Sequence, residues 1–354
     1  MITIGVDFSK RTSQYHVLDE KGNNIKRLKM NNDPVLIGQF FHDLPNEPKQ
    51  LAMEATRNWG LYHDTVVPYV DIFHLGHPKK MKAITQSETK NDPKDAELIA
   101  RLTFSGFLPK AYTSPLNTRQ LRSLLRFRHF LIKQRTAIKN QTHALIDRNL
   151  WPCQKPSSFK DLFCQRGLTW LKSLSLPERE RFILDALLKA YAQLNQSIAN
   201  FENFINNQTC ELPGRSYLKT VPGFRQSKVL SNIVLLEIDN INRFKKAKHL
   251  AHYAGLVPRE FSSGDKHRTG RLVKSANLFL RTALIESVFG AIRSDRGLRD
   301  YYRSVKVRIG SGPAIVASAR KLCCAIYHVL KEQRAYKPFP PAADCASLAV
   351  SIAG

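Results

Sequence analysis

Asp7 lies within the apolar run Ile2-Thr3-Ile4-Gly5-Val6-Asp7-Phe8, which reads as a buried strand. A carboxylate is expensive there unless a partner compensates its charge, and a metal ion is one such partner. Glu54 repeats the pattern at the end of a second run, Leu51-Ala52-Met53-Glu54. A third acidic element, Asn91-Asp92-Pro93-Lys94-Asp95-Ala96, opens a helical pattern that continues through Leu98, Ile99 and Leu102. Asp92 before proline has the form of an N-cap, and Asp95 in the first turn suits the positive end of the helix dipole. Three residues apart, the two also share one helix face. Hard cations such as Mg²⁺ take oxygen ligands, keep several waters and bridge protein carboxylates to substrate phosphates. A strand aspartate, a strand glutamate and a helix-start aspartate pair supply that ligand set. Asp7, Glu54, Asp92 and Asp95 are therefore the candidate Mg²⁺ ligands and catalytic carboxylates. Read singly, each is a cap or a turn former.

A second constellation lies in Ser262-Ser263-Gly264-Asp265-Lys266-His267-Arg268-Thr269-Gly270-Arg271, followed by Lys274. The glycines suit a mobile or phosphate-hugging loop, and a hydroxyl among Lys266, Arg268, Arg271 and Lys274 has cations to stabilise a pentavalent phosphoryl transition state. The plainer reading of such serines is turn formation. Upstream, Leu218-Lys219-Thr220-Val221-Pro222-Gly223-Phe224 before an apolar run has the look of a helix-hairpin-helix turn that holds phosphate on its amides, with a purely structural hairpin as the alternative.

The elements that would position these residues follow from periodicity. Strands are expected at Ile2–Phe8, Tyr15–Leu18 and Ile25–Met30, with a turn at Lys21–Asn24, then a helix from Pro34 to Leu44 and a strand at Leu51–Glu54. A helical stretch from Tyr62 to Tyr69 and a strand from Asp71 to Leu75 complete the domain. Adjacent hairpin strands followed by alternating helix and strand suit a mixed RNase H-like α/β sheet better than a strictly alternating Rossmann sheet. From Leu116 to Leu150 a long helix is expected, with an apolar stripe of Leu121, Leu124, Leu125, Ile132, Ile138, Leu145 and Ile146. Its other face carries Arg119, Arg122, Arg126, Arg128, Lys133, Arg135 and Lys139, with no acidic residue before Asp147. That face reads as a nucleic-acid contact or as a solvated basic surface, with Arg119, Arg122, Arg126 and Lys133 the candidate contacts. A second amphipathic segment from Pro177 to Asn206 makes the pair a coiled-coil-like arm. The expected division is residues 1–115, 116–210, 211–335 and a loose tail 336–354 opened by Lys337-Pro338-Phe339-Pro340-Pro341.

The chain has 354 residues, 43% hydrophobic, which is enough for more than one core. Fifty-five lysines and arginines against 29 acidic residues give a net charge of +26, a field that attracts polyanions. Six cysteines without C-x-x-C pairs point to a reducing, cytoplasmic setting and away from structural zinc. No apolar run is expected to reach the roughly 18 to 20 residues of a membrane span, and no membrane partner is expected.

On Gly5-Val6-Asp7-Phe8-Ser9-Lys10, Met53-Glu54-Ala55-Thr56, Asn91-Asp92-Pro93-Lys94-Asp95-Ala96 and Tyr253-Ala254-Gly255-Leu256-Val257-Pro258-Arg259, the chain resembles the Piv-type DEDD transposases of bacterial insertion sequences, which include bridge-RNA-guided recombinases. The resemblance covers most of the chain. It implies a RuvC-like domain whose Mg²⁺ tetrad is Asp7, Glu54, Asp92 and Asp95. It further implies a mostly helical C-terminal transposase domain carrying a serine nucleophile, assigned to Ser263 with Ser262 in reserve. Asn277 and Arg281 follow the family's Lys-x-Gly-Asn-x-x-Leu-Arg pattern, in which Ala276 replaces the glycine. The implied partners are donor and target DNA, a guide RNA encoded by the element, and further copies of the chain in a dimer or tetramer. Two competing readings keep the same carboxylates: a RuvC-type nuclease that uses water, and a non-catalytic nucleic-acid-binding protein. A third, a sugar kinase suggested by Gly-Val-Asp-Phe-Ser, lacks a second phosphate loop.

Overall fold

The apolar runs form the strands their alternation requires. In a computed structural model the described residues are 1–84, 92–151, 154, 161–225, 227–263, 266–273 and 275–341, with backbone alone described at 83, 92, 93, 228, 260–263 and 266–269. The chain divides into two compact units, Met1–Asn117 and Thr118–Gly354.

In the first unit, β1 (Ile2–Phe8), β2 (Thr12–Leu18) and β3 (Asn24–Asn31) make an antiparallel meander. Then come α1 (Pro34–His42), β4 (Lys49–Glu54), α2 (Trp59–Val66), β5 (Ile72–Gly76), α3 (Pro78–Ile84), α4 (Asp92–Phe104) and the short β6 (Lys110–Ala111). The sheet order is β3-β2-β1-β4-β5-β6, with β1, β4 and β5 parallel to one another. This mixed sheet agrees with the expected α/β architecture. One face buries Ile4, Val6, Tyr15, Leu51 and Met53 against Phe40 and Phe41 of α1 and Tyr62 of α2. On the other face Ala52 packs with Met81 of α3, Ile99 of α4 and Leu108. Alternation along the strands thus separates a bulky core side from a small-residue side on which α4 can lie close.

The second unit is helical. α5 (Leu116–Asn149), α6 (Gln165–Ser173) and α7 (Glu178–Gln208) precede α8 (Arg215–Leu218), α9 (Lys228–Ile238) and α10 (Ala247–Tyr253). A hairpin of β7 (Pro258–Ser263) and β8 (Lys266–Leu272) leads to α11 (Leu278–Ser294), α12 (Arg296–Ile309) and α13 (Ser311–Lys331). α5 and α7 run antiparallel, because their cross-links step in opposite directions. Arg128 Nε donates to Glu202 at 2.8 Å, Arg135 to Asn195 at 3.0 Å and Arg148 to Glu180 at 2.7 Å. Leu145 and Ile146 pack on Leu171, Leu184 and Leu188. The remaining helices enclose a core that includes Phe224, Leu235, Leu250, Leu284, Leu322 and Ile326.

Two expectations change here. The segment after α13 is not loose as far as it is described: the Tyr336 hydroxyl donates to Asp295 at 2.7 Å and the Phe339 amide to the same oxygen at 3.1 Å. Gly297 lies so close that a Cβ would stand 2.2 Å from the Phe339 carbonyl oxygen. Residues 342–354 are outside the described part. Ser311–Lys331 is, against expectation, long and apolar enough to cross a membrane, but Ala319, Leu322, Cys323 and Ile326 are buried in the bundle core, the behaviour of a central helix.

Candidate active site at the strand ends

Asp7 and Glu54 are brought together by strand register. β1 and β4 pair Gly5 with Ala52 and Val6 with Met53, so the next positions along the two parallel strands are Asp7 and Glu54. Adjacent strands lie about 4.8 Å apart, which sets the two carboxylates side by side at the C-terminal edge of the sheet. Both belong to the small-residue face, since Val6 and Met53 point into the opposite core. Both side chains are half-buried. The end of β1 is pinned from beneath: the Phe8 ring lies 5.0 Å from that of Tyr62, and Tyr62 donates to the Tyr15 hydroxyl at 3.0 Å. Burial pushes the Tyr15 phenol up to about 12, so the pair remains neutral.

The helix-borne aspartates reach the same edge because α4 runs antiparallel to β1. Its middle presses on Gly5, where a Cβ would stand 2.3 Å from the Ala96 carbonyl oxygen and the Ala100 amide nitrogen. Its last residue, Phe104, meets Gly22 in the β2–β3 turn, beside Leu18, which pairs with Thr3 near the start of β1. The N-terminus of α4 must therefore point toward Asp7. From the contact between Ala96 and Ala100 the helix descends about 4.5 Å to Asp95 and about 9 Å to Asp92, and from Gly5 to Asp7 the strand advances about 6.6 Å, so Asp7 comes level with the first turn of α4. Glu97 fastens this arrangement, accepting from Arg27 of β3 at 3.0 Å and from Arg101 at 2.9 Å. The Arg101 hydrogen bond holds the Glu97 carboxyl below the usual range. α4 is described from Asp92 onward, which puts position 92 at the N-terminal end of the described helix. Asp95 is half-buried; the side chain of Asp92 is outside the described set.

Among the described residues no group of three or more His, Cys, Asp or Glu is close enough to hold a metal. A site of the Mg²⁺ type does not need one, because that cation keeps waters and takes substrate oxygens beside one or two carboxylates. The donor set at this edge, carboxylate oxygens only, fits such a hard cation. Sequence reasoning passed over two polar atoms just beyond the ends of neighbouring strands. Thr56 Oγ1 and His77 Nδ1 are buried without a hydrogen-bond partner. The only signal was their place, just after the ends of β4 and β5.

The serines do not lie in an irregular loop, as expected, but end a strand. In the β7–β8 hairpin Ser263 stands opposite Lys266, Ser262 opposite His267 and Phe261 opposite Arg268. Gly264 and Asp265, which join the strands, and Lys274 are outside the described residues. Successive cross-strand pairs alternate between the faces of a ribbon, so position 263 shares its face with 261, 266 and 268, and position 262 with 267. The base of the hairpin is held by Arg281, which donates to the carbonyls of Val273 at 2.6 Å and Ala254 at 3.3 Å. Gly255, at φ +67°, leaves room for it, as a Cβ there would stand 2.0 Å from the Arg281 guanidinium. Arg271 is exposed.

Two family models match the chain: one described as "Transposase", a DEDD domain of IS110 elements, over residues 4–150, and one described as "Transposase IS116/IS110/IS902 family" over residues 215–303. Together they contain the carboxylate edge and the serine hairpin. The chain belongs to the IS116/IS110/IS902 family of transposases. It is 24% identical to the transposase of insertion sequence element IS1111A from Coxiella burnetii, over 94% of this chain and 91% of that one. A probable family 20 transposase of Pseudomonas aeruginosa is 22% identical over 95% and 98%, and a pilin gene-inverting protein of Moraxella bovis 27% identical over 80% and 78%. The protein is thus a DNA transposase or recombinase, and its DEDD domain implies use of a divalent metal.

The basic face of α5 in this transposase is partly committed to the fold. Arg122, with its side chain 12% exposed, donates to the Leu236 carbonyl at 2.8 Å and lies 3.6 Å from Glu237. Glu237, 3% exposed, also accepts from Arg126 at 3.3 Å and from Asn277 at 2.7 Å. Arg122 is therefore a structural cation, a correction to the sequence reading. Arg126 is half-exposed and Lys133 exposed on the same stripe, a helical repeat apart. Gly223 is closely packed: at φ +88° it abuts α11, and a Cβ would stand 2.1 Å from the Ser287 carbonyl oxygen.

Proposed function

We propose that this transposase cleaves and rejoins DNA strands of an insertion sequence through a serine nucleophile at a Mg²⁺-dependent site. Asp7, Glu54, Asp92 and Asp95 hold the cation against the scissile phosphate, and Ser263 attacks it. The register of β1 and β4, with the start of α4 level with Asp7, is the observation that carries this reading. When bound, the cation neutralises charge on the phosphate oxygens. The Ser263 hydroxyl gives up its proton and bonds to phosphorus, and the bond to one sugar oxygen breaks, which leaves as an alcohol on taking a proton. A phosphoserine ester remains, and attack on it by a strand hydroxyl of the other partner re-forms a phosphodiester and frees the serine. Bond energy is conserved, so no nucleotide triphosphate is needed. The register of Ser263 with Lys266, next to the pair Phe261 and Arg268, supports this serine over Ser262.

The net charge of +26 supports polyanionic partners, the donor and target duplexes among them, and the family resemblance supports an element-encoded guide RNA and an assembly of several copies. The test is Asp7→Asn, which keeps shape and removes charge. DNA binding should persist and strand cleavage disappear; cleavage at the normal rate at low Mg²⁺ would overturn the carboxylate assignment.

A further inference from the structure

The β7–β8 hairpin stands on two feet, the segment that enters it after α10 and the segment that leaves it at Val273. Arg281 of α11 reaches both: its Nε donates to the Ala254 carbonyl at 3.3 Å and its Nη2 to the Val273 carbonyl at 2.6 Å. Desolvation lowers the pKa of this guanidinium and no carboxylate among the described residues offsets it, so the two carbonyls are what compensate the cation. Gly255 is shaped to it: at φ +67° a Cβ would stand 2.0 Å from Arg281 Nη2 and 2.4 Å from the Ala276 Cβ. The helix that carries Arg281 is itself fixed to the entering foot. Asn277 caps α11 by accepting from the Leu280 amide at 3.0 Å, while its own amide donates to the Tyr253 carbonyl at 2.9 Å and its side chain to the Tyr253 hydroxyl at 3.0 Å. On one side of the foot packing gives no support. A cavity of about 640 Å³ lies where Pro258 and Leu272 face Tyr301 of α12 and Val316 and Ala317 of α13.

We propose that Arg281 is a positioning residue for the transfer step: by tying both feet of the hairpin to α11 it sets the direction of β7–β8, and with it the place of Ser263. This rests on the serine reading of that hairpin. Ser263 pairs with Lys266 at the far end of the ribbon, whose near end is the pair of Pro258 and Leu272. From Pro258 to Ser263 the strand rises about 17 Å, so a tilt of about 5° at the foot moves the serine by about 1.5 Å. A misplacement of about 1 Å can cost about a hundredfold in rate when an attacking group must stay aligned. A two-stranded ribbon is marginally stable by itself and does not hold its own direction to that tolerance. A guanidinium suits the task because its planar fork serves two acceptors at once, which the point charge of a lysine does not.

The experiment takes the full chain with a plasmid carrying the ends of the element and follows the covalent adduct in single-turnover reactions over a range of DNA concentrations. Arg281→Lys keeps the charge and can reach one carbonyl. It should lower the adduct-forming rate at saturating DNA by about tenfold to a hundredfold, while the half-saturating DNA concentration and the unfolding midpoint stay close to wild type. Arg281→Ala should form little adduct and regain part of it with added ethylguanidinium but not with ethylammonium, because only the first carries the fork. A wild-type rate at saturating DNA in Arg281→Lys would overturn the proposal, as would equal rescue by both additives. Parallel falls of rate, affinity and unfolding midpoint would also overturn it, since they mark a contact that serves folding alone. Ser263→Ala separates the two levels. If it forms no adduct while Arg281→Lys forms it at the wild-type rate, only the positioning role fails; if wild type and Ser263→Ala both cleave without an adduct, the serine reading fails and the positioning role with it.

Discussion

Asp7 and Glu54 are half-buried carboxylates at adjacent positions of neighbouring strands, and in the proposed mechanism their charge serves the cation. Asp7→Asn, which keeps the shape of the side chain, should leave the metal-free protein about as stable as before. What it should lose is stabilisation by ligand, which for a site filled at about 100 times its Kd amounts to about 2.7 kcal/mol. Thermal unfolding with and without Mn²⁺ measures both quantities, and an unchanged Mn²⁺-induced rise would remove Asp7 from the site. Asp92→Asn behaves differently from a cap deletion. Asparagine serves a helix N-terminus as well as aspartate does, so stability should survive while cleavage falls. Full activity in that variant would reduce Asp92 to a helix-starting residue.

At the scale of elements, the site depends on how closely α4 lies on β1. Gly5 is the contact, and Gly5→Ala places a methyl 2.3 Å from the α4 backbone. The helix must shift, at a cost of about 1–3 kcal/mol by the usual penalty for overpacking, and Asp92 and Asp95 shift with it. Chemical denaturation should register the loss, with cleavage reduced more than stability alone explains. Strands β1 and β4 and the two long helices were legible in the sequence, because their apolar periods of two and 3.6 are long and unbroken. The antiparallel course of α4 was not, since it depends on Gly5 meeting Ala96 and Ala100 across the sheet. β7 and β8 escaped because Ser262-Ser263 and Lys266 to Arg271 lack the apolar alternation of a half-buried strand. Arg122 read as a surface cation because its partner, Glu237, lies 115 residues away. Glu237→Ala should cost about 3–5 kcal/mol by leaving the buried Arg122 guanidinium uncompensated, and a loss below about 1 kcal/mol would return Arg122 to the surface set.

For the whole molecule, the net charge of +26 sets a salt-dependent affinity for nucleic acid, with a slope that rises with the number of phosphates the protein neutralises. Replacing the exposed Arg126 and Lys133 by glutamine should flatten that slope by about one unit for each phosphate no longer neutralised, whereas Arg122→Gln should lower stability and leave the slope alone. Charge, carboxylates and fold are shared with any water-using nuclease of this architecture; the covalent step alone separates the two mechanisms. The most direct test is trapping of a protein–DNA adduct on denaturing gels with Mg²⁺ present. Wild type and Ser262→Ala should form the adduct, and Ser263→Ala should bind its DNA with near-normal affinity and form none. Cleavage that persists in Ser263→Ala, Ser262→Ala and the double variant without any adduct would contradict the serine mechanism and leave water as the nucleophile.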